Sequence, residues 1–253
     1  MNYISFYTLV KKEVMRFIKV SIQTIFAPLI STTLYLIIFS YSFKSKEVAN
    51  YSVPYIKFII PGLIIMGIIQ NSFANTSSSL VISKYQGTII ELLLAPFSHI
   101  ELSLGLMIGG IARGLAVGIA IYLVSILFYG GTVAHPLLLL LAGTIVAGVF
   151  SLLGIVAGLW AEKFDHVSIF SNFFITPLTF LSGVFYSVES LPGIWSKISL
   201  FNPVVYMVDL VRYSFIGQSD VNYLFSLTII SGAFVVLLTL VTYLFKIGYK
   251  IKD

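Results

Sequence analysis

The residues able to do chemistry are few, and their spacing excludes more than it suggests. The 253-residue chain has no cysteine, so thiolate metal sites, disulfides and cysteine nucleophiles are ruled out. His99, His135 and His166 lie far apart in segments predicted as loops, and none forms an H-E-x-x-H pair. No Gly-Lys pair occurs, so the chain does not cradle ATP phosphates with a G-x-x-x-x-G-K-[ST] loop. G-x-S-x-G is absent as well. Among candidate spans, only the third carries a carboxylate, Glu101 at its edge, which disfavours a proton-coupled carrier or an intramembrane carboxylate dyad. A membrane-embedded enzyme therefore has little to work with.

What remains is one buried charge and one polar helix. Arg113 falls inside an apolar segment, about 16 Å along a helix counted from Leu102. Such an arginine is costly and faces protein or water, so it is a candidate for the transport path or for gating. Structural pairing with a neighbouring helix is the alternative. Asn172, Thr176, Pro177 and Ser182 put polar groups and a helix-kinking proline on a later apolar segment. They would line a conduit, or satisfy carbonyls freed by the kink.

Composition explains why elements must position these groups in lipid. Hydrophobic residues make up 58% and charged residues 10%; soluble domains carry about 25% charged residues. Mean hydropathy is +1.01. Neither a soluble enzyme nor a disordered chain fits. The formal charge of +5 bears on membrane orientation rather than on nucleic acid. Runs long enough for about 20-residue spans predict an all-α protein with six transmembrane helices, near 21–43, 58–82, 102–128, 137–160, 167–188 and 221–245. Residues 84–101 form the loop between the second and third.

Lysine and arginine counts favour both termini on the cytoplasmic side. Nine fall inside (Lys11, Lys12, Arg16, Lys19, Lys84, Lys163, Lys246, Lys250, Lys252) and five outside (Lys44, Lys46, Lys57, Lys197, Arg212). Tyr3, Tyr7, Val10, Val14 and Phe17 repeat at helical spacing, with Lys12, Arg16 and Lys19 on another face. Residues 3–19 thus read as an amphipathic helix lying in the headgroup plane. Gly110, Gly114 and Gly118, and then Gly154 and Gly158, form small-residue rows for close helix packing. Tyr41, Phe43, Phe128, Tyr129, Phe185, Tyr186, Tyr243 and Phe245 sit near span ends, as an interfacial belt requires.

In the 84–101 loop, Thr88–Ala95 can form a short helix ended by Pro96. Ile89, Leu92 and Leu93 share an apolar face and Glu91 leaves from another side. Such a helix either docks into a groove on a partner or packs on its own bundle.

The pattern Gly87…Glu91…Pro96 resembles the loop after the second span in permease subunits of ABC-2 type transporters. That family exports polysaccharides, nodulation signals and drugs. A second match is longer: L-T-F-L-S-G-V-F-Y-S from Leu178, then Leu191-Pro192, Asn202-Pro203-Val204-Val205-Tyr206 and Arg212. It is similar to the family's fifth span and following outer segment, departing at Val204, where the family prefers another apolar residue or threonine. The resemblance covers the whole chain as one domain. It implies an outer re-entrant segment carrying Pro192, Asn202, Pro203, Tyr206 and Arg212. It implies a homodimer of permease chains in the bacterial inner membrane, with two copies of a separate cytoplasmic ATPase. ATP and magnesium would sit on that ATPase, leaving this chain no cofactor. Gly87, Glu91, Leu92 and Pro96 would belong to the coupling helix, with Glu91 its charged contact and the N-terminal helix beside it. The substrate would be lipid-linked, polysaccharide or drug-like. An ATPase-independent channel or carrier is the alternative.

Overall fold

A computed structural model describes residues 3–43, 47–48, 51 and 53–250. Lys44, Lys46 and Lys252 of the charge count, and the side chain of Leu93, lie outside the described residues. The described chain is nearly all helix: α1 (Tyr3–Lys19), α2 (Ala27–Ser42), α3 (Tyr55–Tyr85), α4 (Ile89–Leu94), α5 (His99–Tyr129), α6 (Pro136–Trp160), α7 (Phe164–Phe170), α8 (Thr176–Phe180), α9 (Ile194–Ser199), α10 (Pro203–Ile216) and α11 (Tyr223–Ile247). A two-residue antiparallel ribbon, β1 (Glu47–Val48) with β2 (Val53–Pro54), bridges α2 and α3.

Among the described residues, five helices are long and apolar enough to cross a membrane: Ile22–Ser42, α3, α5, α6 and α11. The expected fifth span, 167–188, differs. Helical structure there covers only 164–180, and the chain then turns through Gly183, whose φ is +79°. The remaining stretch, which sequence alone read as helical, instead folds back to support α10.

Two helices are interrupted by a single π-turn, Ile22–Phe26 before α2 and Ser171–Ile175 before α8. Each π-turn precedes a proline by two residues, Pro28 and Pro177. Proline has no N–H, and its ring crowds the carbonyl four residues back, here Thr24 and Phe173. Both carbonyls lie inside the π-turns, where the wider loop relieves that clash.

Helix starts also have local causes. α5 begins at His99 rather than near Leu102 because Ser98 and Glu101 form a reciprocal cap. Ser98 Oγ accepts from the Glu101 amide at 3.2 Å, and the Ser98 amide donates to Glu101 Oε2 at 2.7 Å. α5 ends at Gly130, whose φ of +90° suits only a residue without a side chain.

α3 is the central element, packed on both α5 and α6. The glycine rows are the seams. A Cβ on Gly114 would stand 1.9 Å from Ser72 Oγ, and one on Gly154 would stand 2.5 Å from the Phe73 carbonyl oxygen. Thr76 Oγ1 donates across the second seam to the Ser151 carbonyl at 2.7 Å. In lipid such close approach and cross-helix hydrogen bonding replace the hydrophobic drive that operates in water.

A second apolar cluster joins Leu9 of α1, Ile89 of α4, Leu102 of α5, Leu159 of α6 and Phe245 of α11. Both described ends of the chain and α4 therefore share one end of the bundle. The α5–α6 turn and the start of α11 lie at the other: Tyr223 stacks on Tyr213 (4.5 Å), which stacks on His135 (5.4 Å). Between Ala161 and Tyr223 the chain must pass from the first end to the second, and α7–α8 makes that passage. Phe245 is buried in the cluster rather than placed in an interfacial belt, while Tyr41 and Tyr243 are exposed.

Candidate functional site

Three places could serve function. The first is α4. Gly87 opens it with φ +74° and open space around it. Ile89 is buried, and Leu92 packs half-buried against the second cluster, turned toward its own bundle. Ile90, Glu91 and Leu94 point outward, and Pro96 is exposed beyond the helix end. Among the described side chains, the outward face thus carries two apolar residues around one carboxylate, on the end shared with α1.

The second place is the junction of α1, α3 and α5. α1 exists as expected, but the face it turns to the bundle is Leu9, Glu13 and Phe17, while Tyr3 and Tyr7 are exposed. The reason is the row Gly105 and Gly109 on α5. A Cβ on either would collide with Leu9 or Glu13, so α1 seats directly on that row. Arg16 consequently faces inward rather than away from the protein. Its Nη2 donates to the carbonyl (2.5 Å) and Oδ1 (2.9 Å) of Asn75, and Nη1 donates to Ser78 Oγ at 3.2 Å. Arg16 Nε stands 3.4 Å from Glu13 Oε2, and Ser79 Oγ donates to Glu13 Oε1 at 2.9 Å. One turn further along α3, Asn71 Oδ1 accepts from Arg113 Nε at 3.4 Å and Nη2 at 3.3 Å. Arg113 lies one helical turn past Gly109, whose neighbour across the seam is Glu13.

The third place is the other end. Arg212, essentially fully buried, donates to the Gly183 carbonyl at 2.5 Å. Its guanidinium lies 3.9 Å from the centroid of Phe58 and 5.8 Å from that of Tyr51. Asp220 accepts from Tyr51 (2.7 Å), Ser187 (2.8 Å) and the Val188 amide (3.0 Å). Asp209 accepts from the Asp220 amide at 2.8 Å. Burial pushes the Asp209 carboxyl up to about 6, against the opposing pull of that amide and of Arg212. Asn202 caps α10 through the Val204 amide and donates to the Leu178 carbonyl at 2.7 Å. Pro203 starts the helix, and the Tyr206 hydroxyl donates to the Leu200 carbonyl at 2.8 Å. Pro192 precedes α9. Asn202, Tyr206 and Arg212 thus tie α10 to Leu178, Leu200 and Gly183, while Pro192 is exposed and α10 itself packs on α3, α6 and α11.

The remaining polar candidates divide. Ser182 Oγ turns back to the Thr179 carbonyl at 2.5 Å. Asn172 and Pro177 are exposed and Thr176 half-exposed on the outer surface of α7–α8. They are not gathered with Arg113. Sequence inspection passed over Glu13, Asn71, Asn75, Tyr51, Asp209 and Asp220. Two signals were available: asparagines four residues apart in an apolar span, and an aspartate three residues before Arg212.

The fold and these sites define a multi-pass helical membrane protein with a loop helix at the end shared by α1 and the end of α11. The chain belongs to the ABC-2 type transporter family, whose model matches residues 4–216. It is 41% identical over 210 residues to the "Inner membrane transport permease YadH" of Escherichia coli (strain K12), covering 83% of this chain and 82% of that protein. It is 26% identical over 190 residues to the "Daunorubicin resistance ABC transporter permease protein DrrB1" of Streptomyces coeruleorubidus, covering 72% and 64%. It is 23% identical over 161 residues to "Nodulation protein J" of Sinorhizobium fredii (strain NBRC 101917 / NGR234), covering 63% and 62%.

Proposed function

We propose that this chain is the transmembrane permease subunit of an ATP-driven exporter in the bacterial inner membrane, moving a lipid-linked, polysaccharide or drug-like substrate. A separate cytoplasmic ATPase would hold the ATP and magnesium, two copies of it working with two copies of this chain. The observation that carries the proposal is α4, a short helix presenting Ile90, Glu91 and Leu94 outward between Gly87 and Pro96. An exposed apolar pair around one charge is a docking feature, and family membership supplies the kind of partner.

Placement of both ends beside α4 supports a topology with both termini cytoplasmic and six crossings, α7–α8 providing the sixth. The well-tied α10 supports a re-entrant outer segment. The exposed apolar face of the π-turn and α2, including Phe26, Ile30 and Leu34, supports lipid or a second copy as its neighbour.

The test is a mild-detergent pull-down of the tagged chain from its native membrane, with mass spectrometry and an ATPase assay on the eluate. A stoichiometric ATPase, lost with Glu91→Lys, is expected. A homo-oligomer without ATPase, under conditions that preserve a known ABC complex, would move the protein to the channel or carrier class.

A further inference from the structure

Arg113 and Arg16 form an unusual pair. They come from different helices, yet they reach the same face of α3, on Asn71 and Asn75. Residues four apart on a helix are one turn apart, about 6 Å along the axis. The groups that receive these guanidinium protons are mostly neutral: two amide oxygens, one backbone carbonyl and one hydroxyl. Among the described residues the one carboxylate at the junction is Glu13, which faces Arg16 and Lys12. Among the described residues Arg113 has no acid within salt-bridge distance. One carboxylate thus faces two arginines and a lysine, and the local charge is net positive.

Hydrogen bonding is also incomplete here. Ser72 Oγ and Asn75 Nδ2, both at this junction, are buried without a hydrogen-bond partner, and Glu13 Oε2 and Arg16 Nε have only each other, at 3.4 Å. Native folds leave few such atoms, so their concentration marks a place built for another partner. The surroundings say what that partner is made of. Arg113 remains half-exposed. The π-turn and α2 pack along α5, and their outward residues Ile22 and Phe26 are apolar and exposed. A ligand here has a negative head among arginines and an apolar body along α2.

We propose that the α1–α3–α5 junction binds the phosphate of an anionic lipid from the leaflet that holds α1, with Arg113 as its principal contact and Arg16 as the second. A guanidinium pairs with phosphate oxygens by charge-assisted hydrogen bonds, and each of the two non-ester oxygens of a lipid phosphodiester has lone pairs enough to accept from a second arginine. Asn71 and Asn75 hold the two guanidinium groups apart and oriented before the lipid arrives. The proposal rests on the membrane-permease assignment and does not need an ATPase partner, so its failure is separate from failure of coupling through Glu91.

The test uses the full chain, purified in mild detergent and measured by native mass spectrometry with added dioleoyl-phosphatidylglycerol. Dioleoyl-phosphatidylcholine, dioleoylglycerol without phosphate and millimolar inorganic phosphate serve as competitors. The expected result is retained phosphatidylglycerol that neither dioleoylglycerol nor inorganic phosphate displaces. Arg113→Gln should weaken retention roughly tenfold, the effect of losing one charge-assisted pair. Arg113→Lys, which keeps the charge and loses the guanidinium, should fall between. Lys11→Gln, an exposed change elsewhere on α1, should leave retention unchanged. Equal retention by wild type and a folded Arg113→Gln variant would overturn the proposal. Displacement by inorganic phosphate would overturn the lipid as its source. Should Arg113→Gln fail to fold, wild type alone decides: indifference between phosphatidylglycerol and dioleoylglycerol would overturn it.

Discussion

Arg212 and Arg113 are both arginines in an apolar setting, and they are treated in opposite ways. Arg212 is enclosed: two aromatic faces, a carbonyl and the nearby Asp209 compensate its charge within the fold. Arg113 rests on one amide oxygen and remains half-exposed. Enclosure identifies an arginine that the structure needs for itself. A partly exposed guanidinium with one neutral partner identifies one left for something outside the chain; an unpaired donor alone does not, since Arg212 Nε is itself buried without a hydrogen bond. Residue type and hydropathy are the same for both, so only the surrounding partners separate them.

Replacing Arg212 should have the largest effect on this contrast. Arg212→Gln leaves Asp209 buried without its counter-charge, and should cost about 3–5 kcal/mol or prevent accumulation of folded protein. Thermal unfolding in detergent would show it; a midpoint unchanged from wild type would contradict the structural role. Next is the seam that carries both α3 faces. Gly154→Ala brings a methyl within 2.5 Å of the Phe73 carbonyl oxygen, where backbone must move, and should cost about 1–3 kcal/mol by the same assay.

The outer network should also respond to pH. Asp209 has its carboxyl raised by burial to about 6. A carboxyl raised above its unfolded value favours the folded state while protonated. Its contribution is therefore full below about pH 4 and is lost as pH rises through about 6, by about 2–3 kcal/mol at most. Asp209→Asn should flatten that part of the stability profile, and an unaltered slope would reject the assignment.

Arg113→Gln should change stability by less than about 1 kcal/mol, because it removes only hydrogen bonds to one amide. If its unfolding midpoint dropped as far as that of Arg212→Gln, the contrast between the two arginines would collapse. Glu91→Lys should do least to the fold, about 0.5 kcal/mol or below, since its side chain is exposed. Its expected effect is on ATPase co-purification alone.

Long apolar runs demand helices in lipid because an unpaired backbone amide there has no water to satisfy it. The helices around Val20–Phe43, α3, α5, α6 and α11 were therefore legible from composition and length. The glycine rows could be read for the same kind of reason: only small residues let two helix backbones approach. So could the position of α4, bracketed by Gly87 and Pro96.

Side-chain direction was not legible. Helical periodicity put Arg16 on the basic face of α1, expected to meet anionic lipid headgroups, whereas it points into the bundle at Asn75 and Ser78. Gly105 and Gly109 on a helix distant in sequence decided it, by opening the groove in which α1 lies. The same holds for the end of α8. The apolar run through 188 satisfied every composition rule for a span, but Gly183 and the ties to Arg212 and Asp220 turn it back. Hydropathy reports what each residue costs in lipid. Which partner removes that cost depends on contacts between segments far apart in the chain, and those exist only once the helices have packed.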